Sequence, residues 1–151
     1  MYEHGKGVDK DDNRAAKFYT SAADQEYTNA QYNLGVMYRD GQGVFKDEKR
    51  AAELFTLTAD QGYANAQFNL GALYSDGRGV DKDDKRAVEL FTLASEHGDA
   101  DAQCNLGCMY ANGQGVDRSL TKAREWWTKA ASQGNEIAIN LLKRVDDELA
   151  N

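Results

Sequence analysis

The stretch Leu34-Gly35-Val36-Met37-Tyr38-Arg39-Asp40-Gly41-Gln42-Gly43-Val44 decides the fold, because close copies of it occupy residues 70–80 and 106–116. The end of the same motif opens the chain as Gly5-Lys6-Gly7-Val8. Consecutive copies are separated by 36 residues throughout. A fixed period between about 20 and 50 residues is typical of proteins built from stacked repeats, in which each unit packs on its neighbours.

Each repeat is predicted to start with a helix that ends at the first glycine of the motif. One face of this helix is apolar at helical spacing: Ala30, Leu34, Met37 and Tyr38, with copies Ala66, Leu70, Leu73, Tyr74, Ala102, Leu106, Met109 and Tyr110. The predicted helix ends are glycines, which suit the left-handed conformation there: Gly41, Gly77 and Gly113. Another glycine stands within the helix, at Gly35, Gly71 and Gly107, where it costs about 1 kcal/mol relative to alanine. We expect a neighbouring helix to approach closely at these positions.

A second helix is predicted to follow in each repeat. Its first-turn amides are expected to be capped by Asp11, Asp47, Asp83 and Ser119. Its apolar face in the first copy is Ala15, Phe18, Tyr19, Ala22 and Ala23. In the last copy we expect Trp127 to lie in the core and Trp126 to be part-exposed. The helix is predicted to end at Gly62, Gly98 and Gly134, whereas Glu26 at the equivalent place predicts a looser end.

These elements predict one all-α domain. It comprises a half-repeat at residues 1–28, repeats at 29–64, 65–100 and 101–134, and a closing helix at 135–151. Residue 1 falls inside a repeat, so we expect a fragment of a longer chain. The N-terminal face lacks a closing helix, which makes it a candidate surface for self-association.

The composition narrows the classes of partner. The chain has 151 residues, 28% of them charged, and a formal net charge of −7. Nucleic-acid binders need a basic surface to meet phosphates, and this chain has no basic stretch. No apolar run is long enough for membrane insertion, so the composition predicts a soluble chain and leaves its compartment open.

The repeat resembles the Sel-one-like repeat (SLR) family, a relative of the tetratricopeptide repeat. The motif residues are Ala66, Leu70, Gly71, Tyr74, Gly77, Gly79, Val80, Asp83, Arg86, Ala87, Phe91 and Gly98, and the resemblance covers nearly the whole chain. It implies a right-handed α/α superhelix of antiparallel helix pairs with a concave face. Family members typically act as adaptors or scaffolds; some are exported by bacteria, and others serve eukaryotic protein quality control.

If the first helices line that concave face, as in related repeats, one asparagine position recurs along it: Asn33, Asn69 and Asn105. An amide both donates and accepts hydrogen bonds, so the three could hold a peptide backbone of a partner protein. Flanking positions on the face are Tyr32, Val36, Arg39, Phe68, Ala72, Ser75, Cys104 and Cys108. The alternative is that the asparagines bond to the neighbouring helix and only stabilise the stack.

Other motifs favour structural roles. Cys104 and Cys108 are too few for a metal site and are interpreted as small core-filling residues, and no metal or cofactor is predicted. Ser119-Leu120-Thr121-Lys122 matches the Ser-x-x-Lys of penicillin-recognising enzymes, but the partner motifs of those enzymes are absent. The sequence therefore predicts a non-enzymatic interaction module. The alternatives are a β-lactam-type hydrolase or small-ligand binder at Ser119 and Lys122, and a passive spacer in a longer array.

Overall fold

The computed structural model describes residues 10–23 and 27–150. Within these ranges the backbone forms eight helices and no strand. The helices are α1 (Lys10–Ala23), α2 (Thr28–Asp40), α3 (Glu48–Asp60), α4 (Ala64–Asp76), α5 (Asp84–Glu96), α6 (Ala100–Asn112), α7 (Leu120–Ser132) and α8 (Glu136–Ala150). The predicted all-α class and the two helices per repeat are confirmed.

The helices belong to two compact units, Met1–Lys82 with α1 to α4 and Asp83–Asn151 with α5 to α8. In the first unit each helix packs on the next, from α1 through α4, and the same holds in the second unit from α5 through α8. The predicted repeat boundaries within one domain stay a prediction.

The core of each unit consists of the predicted apolar faces. Large side chains that are fully buried include Leu34, Phe55, Leu70 and Leu73 in the first unit and Leu90, Phe91 and Leu106 in the second. Phe18 is an exception, because 67% of it is exposed and the neighbouring Ala16 is buried instead. Leu54, at the equivalent position of α3, packs beside Gly35 of the preceding helix, whereas no helix of the described residues precedes α1. The prediction that Phe18 lies on a core face was therefore wrong.

Most predicted helix ends are confirmed. The side chains of Asp47, Asp83 and Ser119 accept hydrogen bonds from backbone amides three residues later, at 3.1, 3.0 and 3.2 Å. Asp11 instead lies inside the first turn of α1, which begins at Lys10, so the prediction that Asp11 precedes this helix was wrong. Gly41, Gly77 and Gly113 take the left-handed conformation after α2, α4 and α6. The prediction of a looser helix end at Glu26 falls outside the described residues.

The close approach expected at the mid-helix glycines is confirmed at Gly35 and Gly107. A Cβ atom at Gly35 would lie 2.8 Å from Cε1 of Phe55, and one at Gly107 would lie 2.5 Å from Nε1 of Trp127. Trp127 is buried and Trp126 is half-exposed, as predicted. None of the described helices is long and apolar enough to span a bilayer.

Candidate functional site

Eight of the predicted binding residues lie on two helices of the first unit. Tyr32, Asn33, Val36 and Arg39 are on α2, and Phe68, Asn69, Ala72 and Ser75 are on α4. All eight are half-buried, which leaves part of each side chain accessible. We call these eight residues the α2–α4 surface.

Asn69 joins the two helices through its side-chain amide. Its Oδ1 accepts a hydrogen bond from Nη1 of Arg39 at 2.9 Å, and its Nδ2 donates one to the hydroxyl of Tyr32 at 3.0 Å. Both partners come from the preceding repeat. The amide is thus held in one orientation, with its remaining N–H and oxygen lone pair available for a further bond.

Arg39 is fixed on its other side by Asp40. Two hydrogen bonds link their side chains, from Nε to Oδ1 at 2.8 Å and from Nη2 to Oδ2 at 3.0 Å. The bond to Arg39 holds the pKa of Asp40 below its usual range, and the same pairing raises the pKa of Arg39. The guanidinium therefore stays charged and points at Asn69 without needing a ligand to order it.

The ring of Tyr32 is positioned by two other aromatic rings. Its centroid lies 5.7 Å from that of the fully buried Phe55 and 5.1 Å from that of Tyr63. The hydroxyl of Tyr63, just before α4, donates a hydrogen bond to Oδ1 of Asn29 in the first turn of α2. Tyr63 was not identified from the sequence, although it stands one repeat after Tyr27 and could have been found by that spacing.

The three asparagines are not equivalent in the structure. Among the described residues, the side chains of Asn33 and Asn105 have no hydrogen-bond partner, whereas that of Asn69 has two. Both unbonded side chains are half-exposed. The alternative that these amides bond within the stack therefore describes Asn69 and does not extend to the other two.

The cysteines lie in the second unit. Cys104 is only 3% exposed and packs in the core with Trp127 and Ala138, whereas Cys108 is half-buried. Burial raises the pKa of the Cys104 thiol to about 11, with a further contribution from Cys108. The part of the chain that is described contains no group of three or more histidine, cysteine or acidic residues able to hold a metal ion.

The Ser-x-x-Lys motif serves the start of α7. The Ser119 hydroxyl accepts a hydrogen bond from the Lys122 amide, and the Lys122 ammonium lies 5.5 Å from the ring centroid of Tyr110. Both groups are thus engaged with the protein's own backbone and side chains.

The helix pairs and their turn glycines define an α-helical repeat protein. The family model for the Sel1 repeat matches residues 1–27, 28–63, 64–99 and 100–135. The chain therefore belongs to the Sel1 repeat family, as the resemblance in its sequence predicted. Sel1 repeat proteins are generally protein–protein interaction modules and typically non-enzymatic scaffolds.

Two solved structures support this membership. A protective antigen of uropathogenic Escherichia coli with an SLR fold is 41% identical, with a TM-score of 0.82, and the match covers 83% of this chain and 27% of that one. A Sel1 repeat protein from Oxalobacter formigenes is 32% identical, with a TM-score of 0.79, and the match covers 83% and 52% of the two chains. The chain therefore spans only about a quarter of the length of the first protein and about half of the length of the second.

A more distant structure shares the fold alone. Cysteine-rich protein B of Helicobacter pylori is 24% identical, with a TM-score of 0.64 over 83% of this chain and 96% of that one. Comparison with curated proteins gave no match.

Proposed function

We propose that the chain is a non-enzymatic scaffold whose α2–α4 surface binds a peptide or loop of a partner protein. The observation that carries this proposal is the ordered set formed by Tyr32, Arg39 and Asn69. A hydroxyl, a guanidinium and an amide are fixed side by side, yet each is only half-buried. Groups that are already ordered lose little conformational entropy when a partner binds, so they suit recognition of a peptide backbone.

The neighbouring side chains extend this polar set with apolar area. Phe68 adds an aromatic side chain, and Val36 and Ala72 add aliphatic surface. A few precisely placed polar groups among apolar side chains are typical of ligand-binding surfaces. In the second unit, Asn105 and Cys108 supply the equivalent half-exposed positions, whereas the buried Cys104 leaves little surface for a partner.

Catalysis at Ser119 is the less favoured candidate. A nucleophilic serine needs a base within hydrogen-bond reach, but the Ser119 hydroxyl caps α7 and the Lys122 ammonium lies against Tyr110. Incubation with a labelled β-lactam tests this directly. Stable acylation that Ser119→Ala abolishes would favour the hydrolase and contradict the scaffold.

The binding proposal is tested by affinity capture with the wild-type chain and the double variant Asn69→Ala with Phe68→Ala. A matched control, Leu57→Ala, removes a half-exposed apolar side chain from α3, a helix that carries none of the residues of the α2–α4 surface. We expect the double variant to lose a captured protein that wild type and control retain.

The thermal midpoint separates binding from stacking. A double variant that keeps its midpoint but loses the partner supports recognition. If the double variant still captures the partner as well as wild type and control do, the partner binds elsewhere on the chain and the proposed site is contradicted. A passive spacer would show no captured protein and no ligand-dependent midpoint.

A further inference from the structure

An apolar pocket opens in the first unit, on the loop between α2 and α3. It has a volume of about 470 Å³ and is lined by Asn13, Tyr38, Gly43, Val44, Phe45, Lys46 and Asp47. Phe45 stands at its edge with 90% of its surface exposed. We call this the Phe45 pocket; it shares no residue with the α2–α4 surface.

The loop that carries Phe45 is held at both ends. The Asp47 amide donates a hydrogen bond to the carbonyl of Tyr38 at 2.8 Å, which ties the loop to the end of α2. Gly43 lies so close to the Asp12 carbonyl of α1 that a Cβ atom there would overlap it. The pocket is thus preformed, and its exposed phenylalanine is presented by a fixed backbone rather than by a free strand of chain.

The repeat provides an internal comparison for this residue. The equivalent positions in the other repeats are Asp9, Asp81 and Asp117. In the second unit the corresponding pocket, of about 570 Å³, is lined by Asp117 and by the lysines Lys85 and Lys122. Phe45 therefore replaces a polar edge with an aromatic one at a position where the repeat folds equally well with aspartate.

Three cations lie in or near the lining of the Phe45 pocket, although the whole chain is acidic. Lys46 is part of the lining, and the Arg50 guanidinium lies 5.8 Å from the ring centroid of Tyr38. Lys17 lines an adjoining pocket of about 400 Å³ that shares Asn13, Gly43 and Val44. Among the described residues that line the two pockets, Asp47 is the one carboxylate, and it accepts a hydrogen bond from the Arg50 amide.

These features specify the chemistry of an occupant. The exposed ring of Phe45 and the side chain of Val44 require an apolar partner group, because exposed aromatic surface gains most from being covered. The adjacent cations favour carboxylates next to that group. The two pockets share three lining residues, so an occupant can extend from one into the other. A concave site also suits a side chain better than the flat surface of a bilayer does.

We propose that the Phe45 pocket binds an acidic peptide segment of a partner protein that carries an aromatic or aliphatic side chain between its carboxylates. The apolar side chain packs against Phe45 and Tyr38, and the carboxylates lie toward Lys46 and Lys17.

The test uses a fluorescein-labelled peptide, acetyl-Glu-Glu-Leu-Phe-Glu-Glu-amide, titrated with the full chain and followed by anisotropy. Two matched probes replace the four glutamates by lysine, or Leu-Phe by Gly-Gly. We expect the acidic apolar peptide to bind and both matched probes to bind at least about tenfold more weakly. Binding should weaken as salt is raised, because the cations are at the surface.

Substitutions then locate the site. Phe45→Asp introduces the residue of the other repeats, so the fold is retained, and it should weaken binding at least about tenfold by removing the aromatic area that the peptide covers. Lys46→Glu should also weaken it. Leu57→Asp, which changes a half-exposed leucine outside the pocket, should leave binding unchanged. Unchanged affinity in Phe45→Asp, or equal loss in Leu57→Asp, overturns the proposal.

Two further measurements distinguish other occupants. Sedimentation of wild type and Phe45→Asp detects a second copy of the chain on the pocket, and flotation with phosphatidylserine vesicles detects a membrane. A dimer or vesicle binding that depends on Phe45, with no peptide binding, would overturn the proposal. A monomer that ignores vesicles and binds the acidic peptide supports it.

Discussion

Substitution of Gly107 by alanine is predicted to destabilise the second unit, although alanine is the better helix former. An added Cβ would lie 2.5 Å from Cδ1 and Nε1 of Trp127 and 3.1 Å from the carbonyl oxygen of Ala123. Trp127 is only 3% exposed, and its Nε1 donates a hydrogen bond to the Cys104 carbonyl at 3.3 Å. The ring can therefore not move away without losing a buried hydrogen bond.

The size of the destabilisation follows from two losses and one gain in the free energy of unfolding. Overpacking a close-packed core costs about 1–3 kcal/mol. Loss of the Trp127 hydrogen bond adds about 1 kcal/mol, and the better helix propensity of alanine returns about 1 kcal/mol. The net loss of about 2 kcal/mol corresponds to a thermal midpoint about 4–8 °C lower for a chain of this size. Thermal unfolding followed by circular dichroism measures it.

A second substitution tests the cause. Trp127→Phe introduces the residue found at the equivalent positions Phe55 and Phe91. If the indole ring causes the loss, Gly107→Ala should cost less in the Trp127→Phe background than in wild type, and the double-mutant cycle should show a coupling energy above about 0.5 kcal/mol. A Gly107→Ala chain as stable as wild type would refute the close approach, and equal costs in both backgrounds would refute the role of Trp127.

Three other predictions concern single groups. Ser119→Ala should cost about 1 kcal/mol by removing the cap of α7, and Ser119→Asp should retain the wild-type thermal midpoint; equal loss in both would contradict capping. With a thiol reagent at pH 8, about three units below the Cys104 pKa of about 11, Cys108 should react first and Cys104 only on unfolding; equal rates in the folded chain would count against this. Arg39→Ala should raise the pKa of Asp40, measured by NMR titration, because the hydrogen bond that lowers it is lost. The pKa of Asp40 is lower in the folded chain than in the unfolded chain, so its bond to Arg39 stabilises the fold above the unfolded pKa. This stabilisation is lost as pH falls through the folded pKa, and Arg39→Ala should reduce this dependence of stability on pH.

The sequence predicted the fold because each local signal agreed with its neighbours. The glycine after α2, the capping residue before α3 and the valine between them recur at one spacing, so each repeat tests the interpretation of the others. The close approach at Gly35 could be predicted for the same reason, since a costly glycine at one position in three copies requires a packing explanation.

Predictions were wrong where a residue depends on a helix other than its own. Phe18 has the helical spacing of a core residue, but burial at that position is supplied by the preceding helix, as Gly35 supplies it for Leu54. Periodicity identifies the face of a helix and cannot show what covers it.

The same dependence explains why the candidate site was only partly predictable. Asn69 owes its fixed orientation to Tyr32 and Arg39, which stand one repeat earlier on α2. The residues one repeat before Asn105 are Phe68 and Ser75, which have neither a hydroxyl-bearing ring nor a guanidinium. A recurring residue therefore acquires a particular role only through non-recurring ones.

Specific recognition should accordingly reside at positions where the repeats differ. The residues that all repeats share, such as the turn glycines and the buried leucines, are occupied with forming the fold. Phe45, which replaces an aspartate of the other repeats, is free of that task and is 90% exposed. Exchanging such a residue for its counterpart in another repeat should change binding while leaving the helices intact, which makes the repeat itself the source of matched controls.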